Sequence, residues 1–355
     1  MKRLRLHLAV GSLAILCSAC STGPRLLVAP LDHSKANVGA LYPEGEKAVT
    51  VLVKDARGPG QVLGGGLFGP IYLGYVSQKP DEVVELMQAS ANDMVRAMGM
   101  KSGVGPTLEM TIEDFRITMY RKSGFSPMNC IGYGKIQTAF RSPDGAETKK
   151  SFNVTYFEGA VPVMSMKEVV TKAVTRIYRQ AAWEVAAKTL AAGFPAEADP
   201  VQVRRLVASL DATKDDDAQR TTVFWLGLVG RNEPAVKEKL LAIFRTSKTQ
   251  NVRQAAAESL GMLGIQDARE ETEAILAGAR KVGDWDNTDM EEDWYLLRSL
   301  HLLGVGDLRS RIPKAEVNMR RVLTELVQFQ ETGEIPRMTE TEQQEMEKAK
   351  KNLKS

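Results

Sequence analysis

Histidine and cysteine, which often carry catalysis or bind transition metals, are scarce in this sequence. Its 355 residues include three of each. His7, His33 and His301 are far apart, so none has the spacing of a metal site. The sequence also contains no Ser-His-Asp or Cys-His arrangement, and adjacent acids such as Glu291-Glu292 do not place two carboxylates across one glycosidic bond. We therefore expect no catalytic residues, no metal, no cofactor and no enzymatic activity.

An excess of one charge is also lacking. The chain has 47 Lys and Arg residues against 44 Asp and Glu residues. Three of the basic residues, Lys2, Arg3 and Arg5, lie in a segment expected to be removed, which leaves 44 of each sign. A nucleic-acid-binding protein shows a basic footprint. The balance therefore predicts that this protein does not bind nucleic acid.

No apolar run is long enough to span a membrane. The run near the start, residues 8–16, is shorter than the roughly 20 residues that a spanning helix needs. It follows basic residues and precedes Ser18 and Ala19, which is the order of a secretory signal peptide. We predict that residues 1–19 are this signal peptide.

The sequence Cys17-Ser18-Ala19-Cys20 resembles the lipobox of bacterial lipoproteins, with Cys17 where that family usually has leucine. The resemblance implies cleavage before Cys20 and attachment of acyl chains to it, and more than one chain anchors a protein stably. Ser21 follows instead of aspartate, which in similar lipoproteins is compatible with the outer membrane. We expect a lipid anchor in the outer membrane, with the protein facing the periplasm. The alternative is an ordinary signal peptide with an incidental cysteine.

Residues 20–46 are mixed in composition and contain three prolines, which predicts a flexible lipidated tether. Residues 47–192 then have the pattern of an α+β domain, a small antiparallel sheet with helices on one face. The expected elements are a strand at 49–54, a helix opening at Pro80-Asp81, strands at 107–120, 131–141 and 148–157, and a helix at 165–190. In the second strand the apolar alternation changes parity between Ile112 and Phe115, which predicts a β-bulge near Glu113-Asp114.

Two features of this domain allow more than one interpretation. Residues 58–74 contain seven glycines among apolar residues that include Leu67 and Phe68. They predict either a mobile surface loop or an apolar loop that contacts a membrane or a partner. Cys130 directly precedes a predicted strand, and free cysteine is commonly buried, so we expect a buried thiol and not a reactive one.

The order of elements and the phrase Val53-Lys54-Asp55-Ala56-Arg57 resemble the YajG-like outer-membrane lipoproteins. This resemblance covers the α+β domain only. It implies an envelope lipoprotein that works by contact, and it brings no catalytic residues.

Residues 193–330 have helical periodicity and an internal repeat. Leu226-Gly227-Leu228-Val229-Gly230 recurs as Leu260-Gly261-Met262-Leu263-Gly264, 34 residues later, and as Leu300-His301-Leu302-Leu303-Gly304 after a further 40. The approach to the middle copy, residues 251–261, resembles the first helix of a HEAT repeat. Second helices are expected at 201–210, 235–244 and 268–279, and a terminal helix at 313–330 is expected to act as a cap.

The longer spacing before the third copy comes from an acidic stretch at 283–293. Starting from Asp284, the sixth and twelfth positions hold Asp289 and Tyr295, where a calcium loop of the EF-hand type needs Gly and Glu. We therefore expect a solvated loop whose flanking Trp285 and Trp294 could contact a partner. Residues 331–355 are predicted to form a charged, exposed tail.

Together these features predict an envelope lipoprotein that binds or scaffolds another envelope protein through its helical repeats. The alternative is an auxiliary subunit of an envelope transport or assembly complex.

Overall fold

The computed structural model describes residues 26–28, 48–57, 62–68, 71–77, 79–121, 128–160, 166–193, 200–230, 233–278, 287–313 and 317–337, with residues 340, 343, 344, 347 and 351. The predicted signal peptide, Cys20, Ser165 and Trp285 lie outside them. The described strands are β1 (Leu26–Val28), β2 (Ala48–Asp55), β3 (Val62–Phe68), β4 (Ile71–Ser77), β5 (Lys101–Arg121), β6 (Met128–Arg141) and β7 (Glu147–Ala160).

The helices are α1 (Pro80–Ala97), α2 (Met166–Gly193), α3 (Pro200–Ala212), α4 (Asp216–Val229), α5 (Pro234–Thr246), α6 (Gln250–Leu263), α7 (Asp267–Ala277), α8 (Asn287–Leu302) and α9 (Val317–Thr332), with a 3₁₀ turn at Leu308–Arg311 between the last two. The predicted α+β domain followed by a helical domain is confirmed. The exact domain boundaries remain predictions.

The main sheet has the strand order β2-β5-β6-β7, and α1 and α2 pack on one of its faces. The last three strands are antiparallel, as predicted, but β2 pairs parallel to β5, so the sheet is mixed. The reason is the intervening α1, because a helical crossover between neighbouring strands returns the chain in the same direction. The prediction of a purely antiparallel sheet was therefore wrong for its first strand.

The predicted bulge in β5 is confirmed. The β5–β6 register shifts between Ile112 and Asp114, which leaves Glu113 as the extra residue. Ile112 and Phe115 are consequently both buried in the core between the sheet and the helices. One inserted residue restores the facing that simple alternation would have lost.

The open edge of β2 is covered by a side chain of α1. The Gln88 amide accepts a hydrogen bond from the Val53 backbone N–H at 2.9 Å and donates one to the Val51 carbonyl oxygen at 2.7 Å. These are the contacts that a neighbouring strand would make. Gln88 therefore occupies hydrogen-bonding groups through which an exposed sheet edge could pair with another chain.

The glycine-rich stretch forms structure that we did not predict. β3 and β4 pair as an antiparallel hairpin, and β1 adds to β4 in parallel, giving a second sheet of order β1-β4-β3. The loop prediction for residues 58–74 was therefore wrong for the described residues of that range. The tether prediction was likewise wrong for Leu26–Val28, because that segment is a strand.

The helical domain is built of stacked helix pairs. α4, α6 and α8, which end in the three copies of the sequence repeat, pack side by side, and α5 packs against α6 as well as α3. Ser259 in α6 donates a hydrogen bond to the Val223 carbonyl oxygen of α4 at 2.9 Å, and Ser299 in α8 makes the equivalent bond to Ala257 of α6 at 2.6 Å. The sequence repeat is thus a repeat of contacts, while the HEAT-like assignment remains a prediction.

The glycines of the repeat have two separate roles. A Cβ atom on Gly227 would lie 2.7 Å from the Ser259 Cβ, so this position permits the close approach of α4 and α6. Gly264 and Gly304 end α6 and α8 with φ of 70° and 78°, the left-handed conformation that terminates many helices. The first copy differs, because Gly230 has φ of −85°.

The second face of the main sheet is partly covered by α9. The Phe329 ring of α9 meets the Tyr133 ring of β6 edge to face, with centroids 5.4 Å apart. Beyond α9, Arg116 of β5 donates to the Pro336 carbonyl oxygen. The two helices of the α+β domain lie on one face of the sheet, as predicted, and α9 of the helical domain packs on the other face. The first residues of the predicted exposed tail also pack over the sheet.

Candidate functional site

A buried polar cluster joins the two domains, and Arg298 of α8 lies at its centre. The Arg298 side chain is 3% exposed and its guanidinium pairs with the Glu184 carboxylate of α2. It also donates to the Thr155 carbonyl oxygen of β7 at 3.1 Å and lies 2.9 Å from the Glu258 carboxylate of α6. One side chain thus connects the sheet, its covering helix and two repeat helices.

Glu184 receives further support inside its own domain. Its carboxylate accepts hydrogen bonds from the Tyr156 hydroxyl and from the Lys188 ammonium group. Burial alone would raise the pKa of Glu184, but the positive charges of Arg298 and Lys188 and these hydrogen bonds outweigh burial and lower the pKa to about 2. The negative charges of Glu184 and Glu258 raise the pKa of Arg298, against the effect of burial. The pair is therefore fully charged at neutral pH and is unsuited to proton transfer there.

Glu158 of β7 forms a neighbouring polar group beside the α2 helix. Its carboxylate accepts a hydrogen bond from the Gln180 amide at 3.1 Å and lies 3.4 Å from the Arg176 guanidinium. Cys130 is fully buried near this carboxylate, and burial followed by the charge of Glu158 raises the pKa of its thiol to about 12. The predicted burial of Cys130 is confirmed, and its thiol is not primed to react as a thiolate.

Glu291 of α8 has the most unusual acid–base property of this region. Burial raises the pKa of its carboxyl, the positive charge of Arg220 of α4 opposes the shift and the negative charge of Glu158 adds to it, with a net pKa of about 7. Glu291 consequently changes charge near neutral pH. A perturbed pKa can mark a functional site, but structural polar networks also produce one.

A second buried ion pair lies within the α+β domain. Arg57 pairs with Asp55 at 2.7 Å, and both side chains are less than a tenth exposed. Arg57 also donates to the Tyr178 hydroxyl at 3.0 Å. These contacts fix the end of β2 against α2, because the two charges and the hydroxyl satisfy one another away from water.

The second helices of the repeats form an exposed, mixed-charge surface, which we call the outer repeat face. Ion pairs connect successive helices: Arg204 with Glu233 at 3.7 Å, Lys237 with Asp267 at 2.7 Å, and Arg245 with Glu271 at 2.8 Å. Ile275 of α7 is a large apolar side chain exposed on this face, at 39%. Such exposed pairs add little stability.

Of the predicted contact residues, only some lie in the described part of the chain. Trp294 is 0% exposed in α8, so the prediction that it contacts a partner is wrong: its indole packs among the repeat helices. The predicted acidic loop is also shorter than expected, because α8 begins at Asn287. Leu67 and Phe68 lie in β3, and Cys20 and Trp285 fall outside the described residues. Partner contact by Leu67, Phe68 and Trp285 therefore stays a prediction.

Sequence reasoning missed the Arg298 cluster although a signal was present. Arg298 follows Leu296 and Leu297 in α8, Glu258 follows three alanines in α6, and Glu184 interrupts the apolar stripe of α2. A single charge inside an apolar helix face indicates a buried partner elsewhere. The sequence does not say which charges pair, because the partners come from α2, α6 and α8.

Across the described parts of the chain, no group of three or more potential ligands is arranged to hold a metal ion. His301 is half-buried, and burial lowers its pKa. In those same parts, no helix has both the length and the apolarity that crossing a bilayer requires.

This chain shows only weak similarity to known proteins. No protein family model matches the sequence, and no curated protein sequence matches it. Solved structures with some likeness include a DUF330 protein from Xanthomonas campestris, at 12% identity over 47% of this chain and 95% of that one, with a TM-score of 0.31. The rare lipoprotein B from Shewanella oneidensis has 11% identity over 41% and 96%, with a TM-score of 0.25. A minor lipoprotein from Acinetobacter baumannii has 6% identity over 41% and 92%, also with a TM-score of 0.25. TM-scores this low establish neither a shared fold nor a shared function.

Proposed function

We propose that this protein is a lipid-anchored lipoprotein of the bacterial cell envelope that binds or scaffolds another envelope protein. The anchor is Cys20, which follows a signal-peptide pattern and resembles the acylated cysteine of lipoproteins. In this proposal the protein lies at the outer membrane and faces the periplasm. The role is one of contact and not of catalysis.

The observation that carries the binding role is the rigid attachment of the repeat helices to the α+β domain. Arg298 and its partners tie α8 and α6 to α2 and β7, so the repeats cannot turn freely against the sheet. A pre-organised surface loses less conformational freedom when it binds. The outer repeat face on α3, α5 and α7 is exposed and presents alternating charges, which suits a protein partner of mixed charge.

Site-specific crosslinking from this face tests the proposal. A photoreactive residue is placed at Ile275 in α7, and a control is placed at Val104, which is fully exposed at the start of β5. We expect one discrete crosslinked envelope protein from position 275 in intact cells and none from position 104. Equal labelling from both positions, or no product from 275 and two further outer-face positions, would contradict a binding role for the repeats.

A further inference from the structure

The small sheet β1-β4-β3 shows at which end of the hairpin the chain enters β1. β1 and β4 are parallel, with Leu26 paired to Tyr75 and Val28 to Ser77. β4 itself begins at Ile71, which is paired to Phe68 across the hairpin. The end of the sheet at which the chain enters β1 is therefore also the end that carries the tip of the β3–β4 hairpin.

Few residues separate the proposed anchor from β1. Cys20 precedes Leu26 by six residues, which reach at most about 20 Å when fully extended. Along β4, Tyr75 lies only four residues after Ile71, the first residue of that strand at the hairpin tip. The parallel pairing thus places the entry to β1 and the hairpin tip at the same end of the small sheet, and six residues are enough to connect this end to Cys20.

The composition of the hairpin suits a lipid surface. No charged residue occurs between Arg57 and Lys79, although 26% of the chain is charged. The last two register pairs at the tip are Leu67 with Tyr72 and Phe68 with Ile71. Such residue types are inexpensive to bring into a bilayer interface, where tyrosine in particular is enriched, whereas charged residues are costly there.

We propose that the tip of the β3–β4 hairpin, formed by Leu67, Phe68, Ile71 and Tyr72, rests on the lipid surface beside acylated Cys20. This inference rests on the lipid anchor of the proposed function. An acyl anchor alone leaves the protein free to reorient on the membrane, and a second contact fixes its orientation. The α+β domain then stands directly on the membrane and does not sit at the end of a long free tether.

Fluorescence from a label at the tip tests this placement. The acylated full-length protein with Phe68→Cys is labelled with the environment-sensitive dye NBD and reconstituted into phosphatidylethanolamine–phosphatidylglycerol vesicles. Native Cys130 does not compete for the label because it is fully buried. The matched control is Ile275→Cys on the outer repeat face, and Tyr72→Cys provides a second tip position in case the first variant perturbs β3.

We expect the tip labels to be quenched by lipids that carry a nitroxide in the acyl chain. We also expect several-fold weaker quenching by aqueous iodide at the tip than at position 275. Equal iodide quenching at all three positions in vesicle-bound protein would overturn the inference while leaving the anchor intact. A tip label that is shielded in cells but exposed in protein-free vesicles would also overturn it, in favour of a protein contact. Failure of the protein to sediment with vesicles at all would overturn the anchor and the inference together.

Discussion

Removal of Arg298 is the perturbation whose consequences the structure defines most closely. Arg298→Met keeps most of the apolar stem but removes the guanidinium that pairs with Glu184 and Glu258 and donates to the Thr155 carbonyl oxygen. Breaking a buried ion pair by removing one partner leaves an uncompensated charge and costs about 3–5 kcal/mol. We expect a loss of unfolding free energy in this range.

The assay is urea unfolding of the mature protein, followed by circular dichroism. The matched control is Arg245→Met, because the Arg245–Glu271 pair has a similar distance of 2.8 Å but side chains that are 52% and 30% exposed. Exposed pairs contribute roughly 0–1 kcal/mol, so this control is expected to remain close to the wild type. Equal losses of unfolding free energy in the two variants would refute the idea that burial makes the Arg298 cluster more important for stability than an exposed ion pair.

The pH dependence supplies an independent check. In the wild type the pKa of Glu184 is lowered from 4.5 to about 2, so its contribution to stability is present above pH 4.5 and is lost as the pH falls towards 2. Without Arg298, burial raises the pKa of Glu184 relative to the wild type, and protonation relieves the buried charge. The stability difference between wild type and Arg298→Met should therefore narrow as the pH falls from 7 to 4. A difference that stays constant over this interval would contradict the assigned pairing.

Three further predictions concern single residues. The pKa of Glu291 is raised from 4.5 to about 7, so the wild type should lose stability as the pH rises through this window. The Glu291→Gln variant should lack this pH dependence. In urea titrations at pH 8 it should be more stable than the wild type by at least about 1 kcal/mol, since one pKa unit corresponds to about 1.4 kcal/mol. Gly227→Ala should destabilise the protein by about 1–3 kcal/mol, because the new Cβ would lie 2.7 Å from the Ser259 Cβ. Gly103→Ala is the control: a Cβ there would have no atom within 4 Å, so its thermal stability should change little. Gln88→Ala leaves the Val51 carbonyl and Val53 N–H without their side-chain partner, and sedimentation velocity should detect concentration-dependent association through β2, absent from the wild type at the same concentration.

Local patterns predicted the parts of the fold that depend on neighbours in sequence. The parity change between Ile112 and Phe115 located the bulge because side chains alternate strictly along a strand. The repeated phrases coincide with the ends of α4, α6 and α8, and in the last two copies the final glycine takes the left-handed conformation that ends many helices. These features require no knowledge of the rest of the chain.

The features that were missed depend on long-range pairing. The glycines of β3 weaken the strand signal, and the structure pairs this strand with β4, which in turn pairs with the distant β1. The burial of Trp294 and the Arg298 cluster likewise follow from the way α8 packs against α6 and the α+β domain. Sequence periodicity marks such residues as apolar or isolated charges but does not identify their partners.

The central claim, that a lipid anchor holds this protein in the envelope, is tested most directly by intact mass and membrane fractionation of the native protein beside a Cys20→Ala variant. The account predicts an acylated N-terminal Cys20 and an outer-membrane location for the wild type, and an uncleaved or mislocalised variant. If wild type and variant are both unacylated and recovered with the soluble periplasmic proteins, the anchor is contradicted.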